Sequence, residues 1–281
     1  MKTLKITGLA VAVLLAVAAG TVAIQSRSTE RDIDAFEARV ARLGAATPSP
    51  AFDAVRIAQL PEPVQRWFKY TFRGEPGRYA VVRLATEGDF RRPLTEAFNP
   101  TTAEQVIATG VPALMFSATT SVMPGVWARA YDFFADGQME MKAKVLSAIT
   151  VVDESQTPEL NVISLRRWLL ESALYPAALL PGGPVTWQPV DDQSARAVVE
   201  SKGMRATMLA HFDAEGQMTR MTAEADGDLS TPYHGSGEQV TRSEYRQLGN
   251  QMIPMRFTIS RANGGKVYPF FKARVTSIAF E

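Results

Sequence analysis

The sequence predicts an α+β protein: a large, curved, half-barrel-like antiparallel sheet enclosing one apolar helix, preceded by helices and a membrane segment. Three observations carry that expectation. The chain opens with an uncharged apolar run. From Arg78 onward it is written as alternating, β-branched and aromatic stretches separated by short turn signals. One greasy segment, RWLLESALYPAALLPGGPVTW (Arg167–Trp187), interrupts those stretches and is apolar on nearly every side if helical.

The first element is a targeting segment, residues 1–25. Lys2 and Lys5 precede the uncharged run Ile6–Ile24, which falls within the roughly 17–25 residues a membrane-spanning helix needs. It reads as an uncleaved signal anchor; a cleaved signal peptide, with small residues at Ala16, Ala18, Ala19 and Gly20, is the alternative. In both cases the lysines keep the N-terminus cytoplasmic and send the rest across. The expected address is the inner membrane with the domain on its periplasmic or extracellular side, or the periplasm after cleavage.

Residues 26–60 read as an amphipathic helix and a spacer. Ser28 or Thr29 can cap a helix whose Ile33, Phe36, Val40 and Leu43 form one stripe, with Gly44 ending it and AATPSP following. A single α+β domain is expected over 61–281. It starts with a helix after LPEP, whose Val64, Trp67 and Phe68 share a face. Strands follow, with turns expected near Asn99-Pro100, Asp136-Gly137, Asp191-Asp192, Asp213–Gly216 and Asn263–Gly265. Between them a helix is expected over 164–180, capped by Ser164 and stopped by Pro181-Gly182-Gly183.

That helix poses the functional question. Leu165, Trp168, Leu169, Leu170, Ala173, Leu174, Tyr175, Ala177, Ala178, Leu179 and Leu180 overflow a single stripe, so the helix is buried on more than one side. It is either a core helix plugging a barrel or a lid beside a cavity for lipid, acyl chain or another apolar ligand. The 11 Met lean slightly toward an adaptable apolar surface. Trp168, Glu171, Tyr175 and Leu179 are the candidate ligand-binding residues. Glu171 lies mid-helix among leucines, where an unpaired carboxylate is costly; either Arg167, one turn earlier, pairs with it on a wet face, or it is buried and bonded to a strand arginine or aimed at a ligand headgroup.

Composition removes several function classes. A net charge of +1 without a dense basic stripe gives no case for nucleic acid. With no cysteine there is no disulfide framework, thiol catalysis or lipidated leader. His211 and His234 lack partners at ligand spacing, and no phosphate-binding glycine loop occurs. HGSG (234–237) lacks the strand–elbow–helix context of a serine nucleophile and reads as a polar turn. No catalytic residue, metal site or cofactor is therefore expected, and the chain is not read as an enzyme.

The run SLRRWLLESALYPAALLPGGPVTWQPVDDQSARAVV resembles the pattern LxRxLxEAxxxPxALLPxxxVxWxPxDxxxAxA of an uncharacterised bacterial envelope family, a domain of unknown function. PEPVQRWF, DFFADGQMEMKAKVLSAITVVD and QMIPMRF are similar to it as well, so the resemblance covers most of 60–281. Pro232-Tyr233 stands where that family's pattern has Pro-Trp. The order of elements is also similar to that of periplasmic lipoprotein-sorting carriers, whose half-open sheet holds a helical lid over an acyl-binding cavity. That likeness implies a membrane-tethered binding protein for an apolar ligand. The alternative from the residues is a non-enzymatic scaffold of the cell envelope, with a protein partner at its sheet edge or anchor helix.

Overall fold

The structure is a computed structural model that describes residues 2–92, 95–229 and 237–281, with side chains throughout these except at 2–8, 10 and 11. One helix, α1 (Lys2–Ala46), runs without a break from the apolar segment through the amphipathic one. The expected cap at Ser28 or Thr29 is not formed. Thr29 Oγ1 instead donates to the Gln25 carbonyl one turn back, which lets a hydroxyl residue sit inside a helix. The boundary expected at residue 25 thus falls within a continuous rod. Gly44 lies where the helix crosses the sheet closely; a Cβ there would stand 2.6 Å from the Ala80 carbonyl oxygen.

Two helices follow. The short α2 (Ala54–Ile57) is capped by Asp53, whose carboxylate accepts from Val55 N and Arg56 N. α3 (Glu62–Thr71) buries Val64, Trp67 and Phe68, the face expected from LPEP onward.

Among the described residues, thirteen antiparallel strands form one sheet. They are β1 (Val81–Phe90), β2 (Asn99–Ala108), β3 (Ala113–Met123), β4 (Val126–Ala135), β5 (Gln138–Val145), β6 (Ile149–Ser155), β7 (Val185–Asp191), β8 (Ser194–Ser201), β9 (Met204–Phe212), β10 (Met218–Thr222), β11 (Gln239–Leu248), β12 (Gln251–Asn263) and β13 (Lys266–Phe280). The order is β6-β5-β4-β3-β2-β1-β13-β12-β11-β10-β9-β8-β7. Each half is a meander, and the halves join where β1 pairs with β13. The turn expected at Asn99-Pro100 is displaced: Asn99 opens β2, and Pro100 already faces Asp89 of β1. Proline is tolerated there because it sits at a strand's start.

β6 and β7 are the two edges of the sheet, and the chain crosses from one to the other through α4 (Pro158–Glu171). α4 touches β4 and β5 on one side and β8, β9 and β11 on the other, so the sheet curls around it. The helix expected over 164–180 is present but shifted. It is capped by Thr157, whose hydroxyl accepts from Leu160 N, with Pro158 in the first turn. Past Glu171 the chain tightens into 3₁₀ turns at Ser172–Leu174 and Pro176–Leu179. Pro176 is the cause: it lacks a donor and forces Tyr175 out of helical geometry (φ −139°, ψ 64°).

Alternation along the strands separates two cores. Val82, Ile107, Leu114 and Phe134 face α4, in the larger core. Val81, Val106, Met115, Tyr131 and Phe133 face outward, where Ile33 and Val40 of α1 cover them. Helices thus pack on both faces of β1–β4.

Candidate functional site

The four residues singled out from the sequence all lie inside the curl. Trp168, Tyr175 and Leu179 are completely buried, and Glu171 nearly so. Trp168 Nε1 donates to the Ala108 carbonyl at 2.9 Å. The Tyr175 hydroxyl donates to the Trp168 carbonyl, and the two rings are 5.8 Å apart. Leu179 sits further on, its carbonyl accepting from Trp187 Nε1 at 3.2 Å. The structure therefore brings Trp168, Glu171 and Tyr175 together and places Leu179 against a separate tryptophan.

Glu171 belongs to a buried ionic network. Its Oε1 accepts from Arg167 Nε at 2.9 Å and its Oε2 from Gln105 Nε2 of β2 at 2.7 Å. Arg167 reaches across to Asp132 Oδ2 on β4 at 2.5 Å, and its guanidinium lies over the Phe116 ring at 4.5 Å. On the other side Arg242 of β11 donates to the Leu170 carbonyl. The helical spacing of Arg167 and Glu171 was legible, but the pair is dry rather than on a wet face. Burial drives Asp132 above its usual range, outweighing the attraction of Arg167. Burial also lowers Arg242 to about 10. Asp132 Oδ1 and Arg242 Nη1 have no hydrogen-bond partner. The network cross-links α4 to both halves of the sheet. No cluster of metal-ligating side chains occurs among the described residues. His211 bonds Thr222 at 3.2 Å; His234 and Pro232-Tyr233 lie outside the described residues.

Open space lies elsewhere. Two cavities of about 480 and 630 Å³ adjoin on the outer face of β1–β4, sharing Glu87, Thr102, Thr119 and Trp127. The first runs under α1, between Ser26 and Glu30 of the helix, Arg129 of β4 and Ser147 of the β5–β6 turn, and is polar. The second opens at the rim, against Pro100, Met123, Pro124 and Val126, and is mainly apolar. A third, of about 580 Å³, lies between α2 and α3 around Phe52, Ile57, Phe68 and Phe72. Trp168, Glu171, Tyr175 and Leu179 line none of the three.

The rim groove is held by α1. Arg129 makes a two-pronged bond to Glu30 at 2.9 and 2.8 Å. Trp127 Nε1 donates to Ser147 Oγ, and the Thr29 hydroxyl and Lys144 close the corner. Sequence reasoning missed Met123 and Trp127. Their signal was the uncharged hairpin VMPGVW, which leaves apolar side chains at an exposed tip.

Fold and site together define an open antiparallel-sheet protein with an internal helix and an apolar N-terminal helix long enough to cross a membrane. The chain belongs to DUF6920, a family of unknown function, which it matches over residues 58–280. This is the uncharacterised family expected from the sequence. Among solved structures it is similar to a DUF1329 family protein from Desulfovibrio piger (TM-score 0.39, 7% identity, covering 72% of this chain and 86% of that one). It is also similar to a LolA superfamily protein from Nitrosomonas europaea (TM-score 0.35, 6% identity, 78% and 92%). A porin-like protein from Bacteroides uniformis follows (TM-score 0.27, 7% identity, 72% and 98%). No curated protein matches the sequence.

Proposed function

We propose that the protein is a membrane-tethered, extracytoplasmic binding protein for an apolar ligand, a lipid or acyl chain, which it holds in the rim groove. One observation carries this reading. α1 passes without a break from an exposed apolar span into the segment docked on the sheet, so the apolar cavity at Met123 and Trp127 opens beside the end of that span. A groove of about 630 Å³ falls within the range of small-molecule sites. Lys2 and Lys5 set the orientation, with the sheet outside the cytoplasm. In this arrangement α4, with Trp168, Glu171, Tyr175 and Leu179, is the pinned core that supports the curl.

Native mass spectrometry of full-length protein released from its own envelope tests the reading. Retained lipid is expected on the parent. It should be lost in Thr102→Trp, which fills the groove at a residue common to both cavities, with an unchanged melting curve. Lipid absent from the parent, or retained equally by the variant, would contradict the site and leave the envelope-scaffold alternative.

A further inference from the structure

Among the described residues, the most exposed large apolar side chains of the sheet share one corner, whereas Val190 on β7 and Val267 and Tyr268 on β13 are less than half exposed. Val122 and Met123 stand at the β3–β4 tip, and Ile149 and Val151 on β6; of these, Met123, Ile149 and Val151 are more than half exposed. Neither SVMPGVWA (121–128) nor VLSAITVV (145–152) carries a charge. Bonds tie the two stretches together: Leu146 N donates to the Trp127 carbonyl at 2.8 Å, and Trp127 Nε1 to Ser147 Oγ at 3.2 Å.

This corner is joined to the helix that bears the apolar span. β4 and α1 run side by side toward it, through Arg39 with Asp136, Phe36 on Phe133, Glu30 with Arg129, and Thr29 with Ser147. Met123, Pro124 and Gly125 continue that course one step further toward the span. Thr29 is five residues past Ile24, the last residue of the apolar run, which is about 7 Å of helix rise. The polar layer on each side of a bilayer's hydrocarbon is about 5–7 Å deep. If Ile24 sits at the hydrocarbon edge, the corner lies at headgroup depth, where a half-buried tryptophan and uncharged apolar tips are favoured.

We infer that the Val122–Trp127 hairpin and the Ile149–Val151 edge are a second membrane contact, seated in the headgroup layer of the same bilayer that α1 crosses. This rests on α1 being a retained span. The consequence is geometric: the mouth of the rim groove faces lipid rather than bulk water, and β6, an open sheet edge, is shielded from pairing with another chain.

The chain has no cysteine, so each introduced one is the sole labelling site. Nitroxide labels at Met123→Cys, Ile149→Cys, Leu14→Cys and Val55→Cys of the full-length protein, reconstituted in phosphatidylcholine vesicles, report depth by their relative access to oxygen and to a water-soluble nickel chelate. Leu14 lies within the apolar run and Val55 on exposed α2. The expected result is a lipid-like ratio at Leu14, intermediate ratios at Met123 and Ile149, and an aqueous ratio at Val55. A lipid-like Leu14 with Met123 and Ile149 as aqueous as Val55 would overturn the second contact while leaving the anchor intact. An aqueous Leu14 would overturn the anchor and the contact together. Ile149→Cys decides if Met123→Cys fails to fold.

Discussion

The inside of the curl and the rim under α1 are built on opposite plans. Inside, α4 from Leu165 to Glu171 buries nearly every side chain, its largest ones completely, and its buried cation Arg167 is held between Asp132 and Glu171. At the rim, apolar side chains border open space, and the charges, Glu30 with Arg129 and Lys144 on Thr29, hold a helix against the sheet rather than a core together. The apolar segment that interrupts the strands thus marks where the sheet is most filled. The place with room is marked by modest apolar residues at an exposed turn.

That contrast breaks most sharply inside. Leu179→Asp places a carboxylate where Leu179 has no exposure. The cost is several kcal/mol, enough to unfold a domain of ordinary stability in a thermal melt. Arg167→Met should cost about 3–5 kcal/mol in chemical denaturation, because Asp132 and Glu171 are left buried without their cation.

The same variant carries a pH signature. Burial already raises Asp132 despite Arg167, and removing the guanidinium raises it further. A carboxylate whose folded pKa exceeds its unfolded value, near 4, binds its proton more tightly in the folded chain. Its contribution to stability is greatest below that unfolded value and is lost as pH rises through the folded one. The deficit of Arg167→Met should therefore shrink between about pH 7 and about pH 5, and denaturation curves at the two pH values check the sign. A deficit that grows on acidification would mean that the carboxylates are not the source of the cost.

At the rim the same kind of change should barely touch stability. Met123→Asp is expected to shift unfolding by less than about 0.5 kcal/mol, while co-purifying lipid falls several-fold. Arg39→Ala should be mild as well, and without effect on co-purifying lipid. Its bond to Asp136 is about two-fifths exposed on each side and should be worth under about 1 kcal/mol, measured by a double-mutant cycle.

The sequence made the interior legible and the rim obscure for physical reasons. Apolar periodicity is local, so a helix buried on every side around Trp168 and strands alternating through Ile107 and Phe134 show in the letters. Turn chemistry is local too, and Asp136-Gly137 and Asn263–Gly265 fall where expected. The helix ends were harder: Thr157-Pro158 was an available cap signal, and Pro176 an available stop. The single rod of α1 was missed because Thr29 suits a cap as well as a back-bonded helix interior. Partners at long range were invisible. Asp132 lies 35 residues from Arg167, and Gln105 lies 66 from Glu171. Nothing local distinguishes Met123 at a groove mouth from any exposed hairpin methionine; only the docking of α1 gives it a meaning.

Photo-crosslinking maps the ligand most directly. A phospholipid carrying a diazirine in its acyl chain, irradiated in vesicles with the full-length protein, marks whichever side chains the chain touches. Adducts are expected on peptides containing Pro100–Thr102 and Thr119–Trp127, at the rim. Adducts on Leu165–Leu180 instead would contradict the rim site, showing that α4 moves aside and that the interior around Trp168 and Tyr175 receives the ligand.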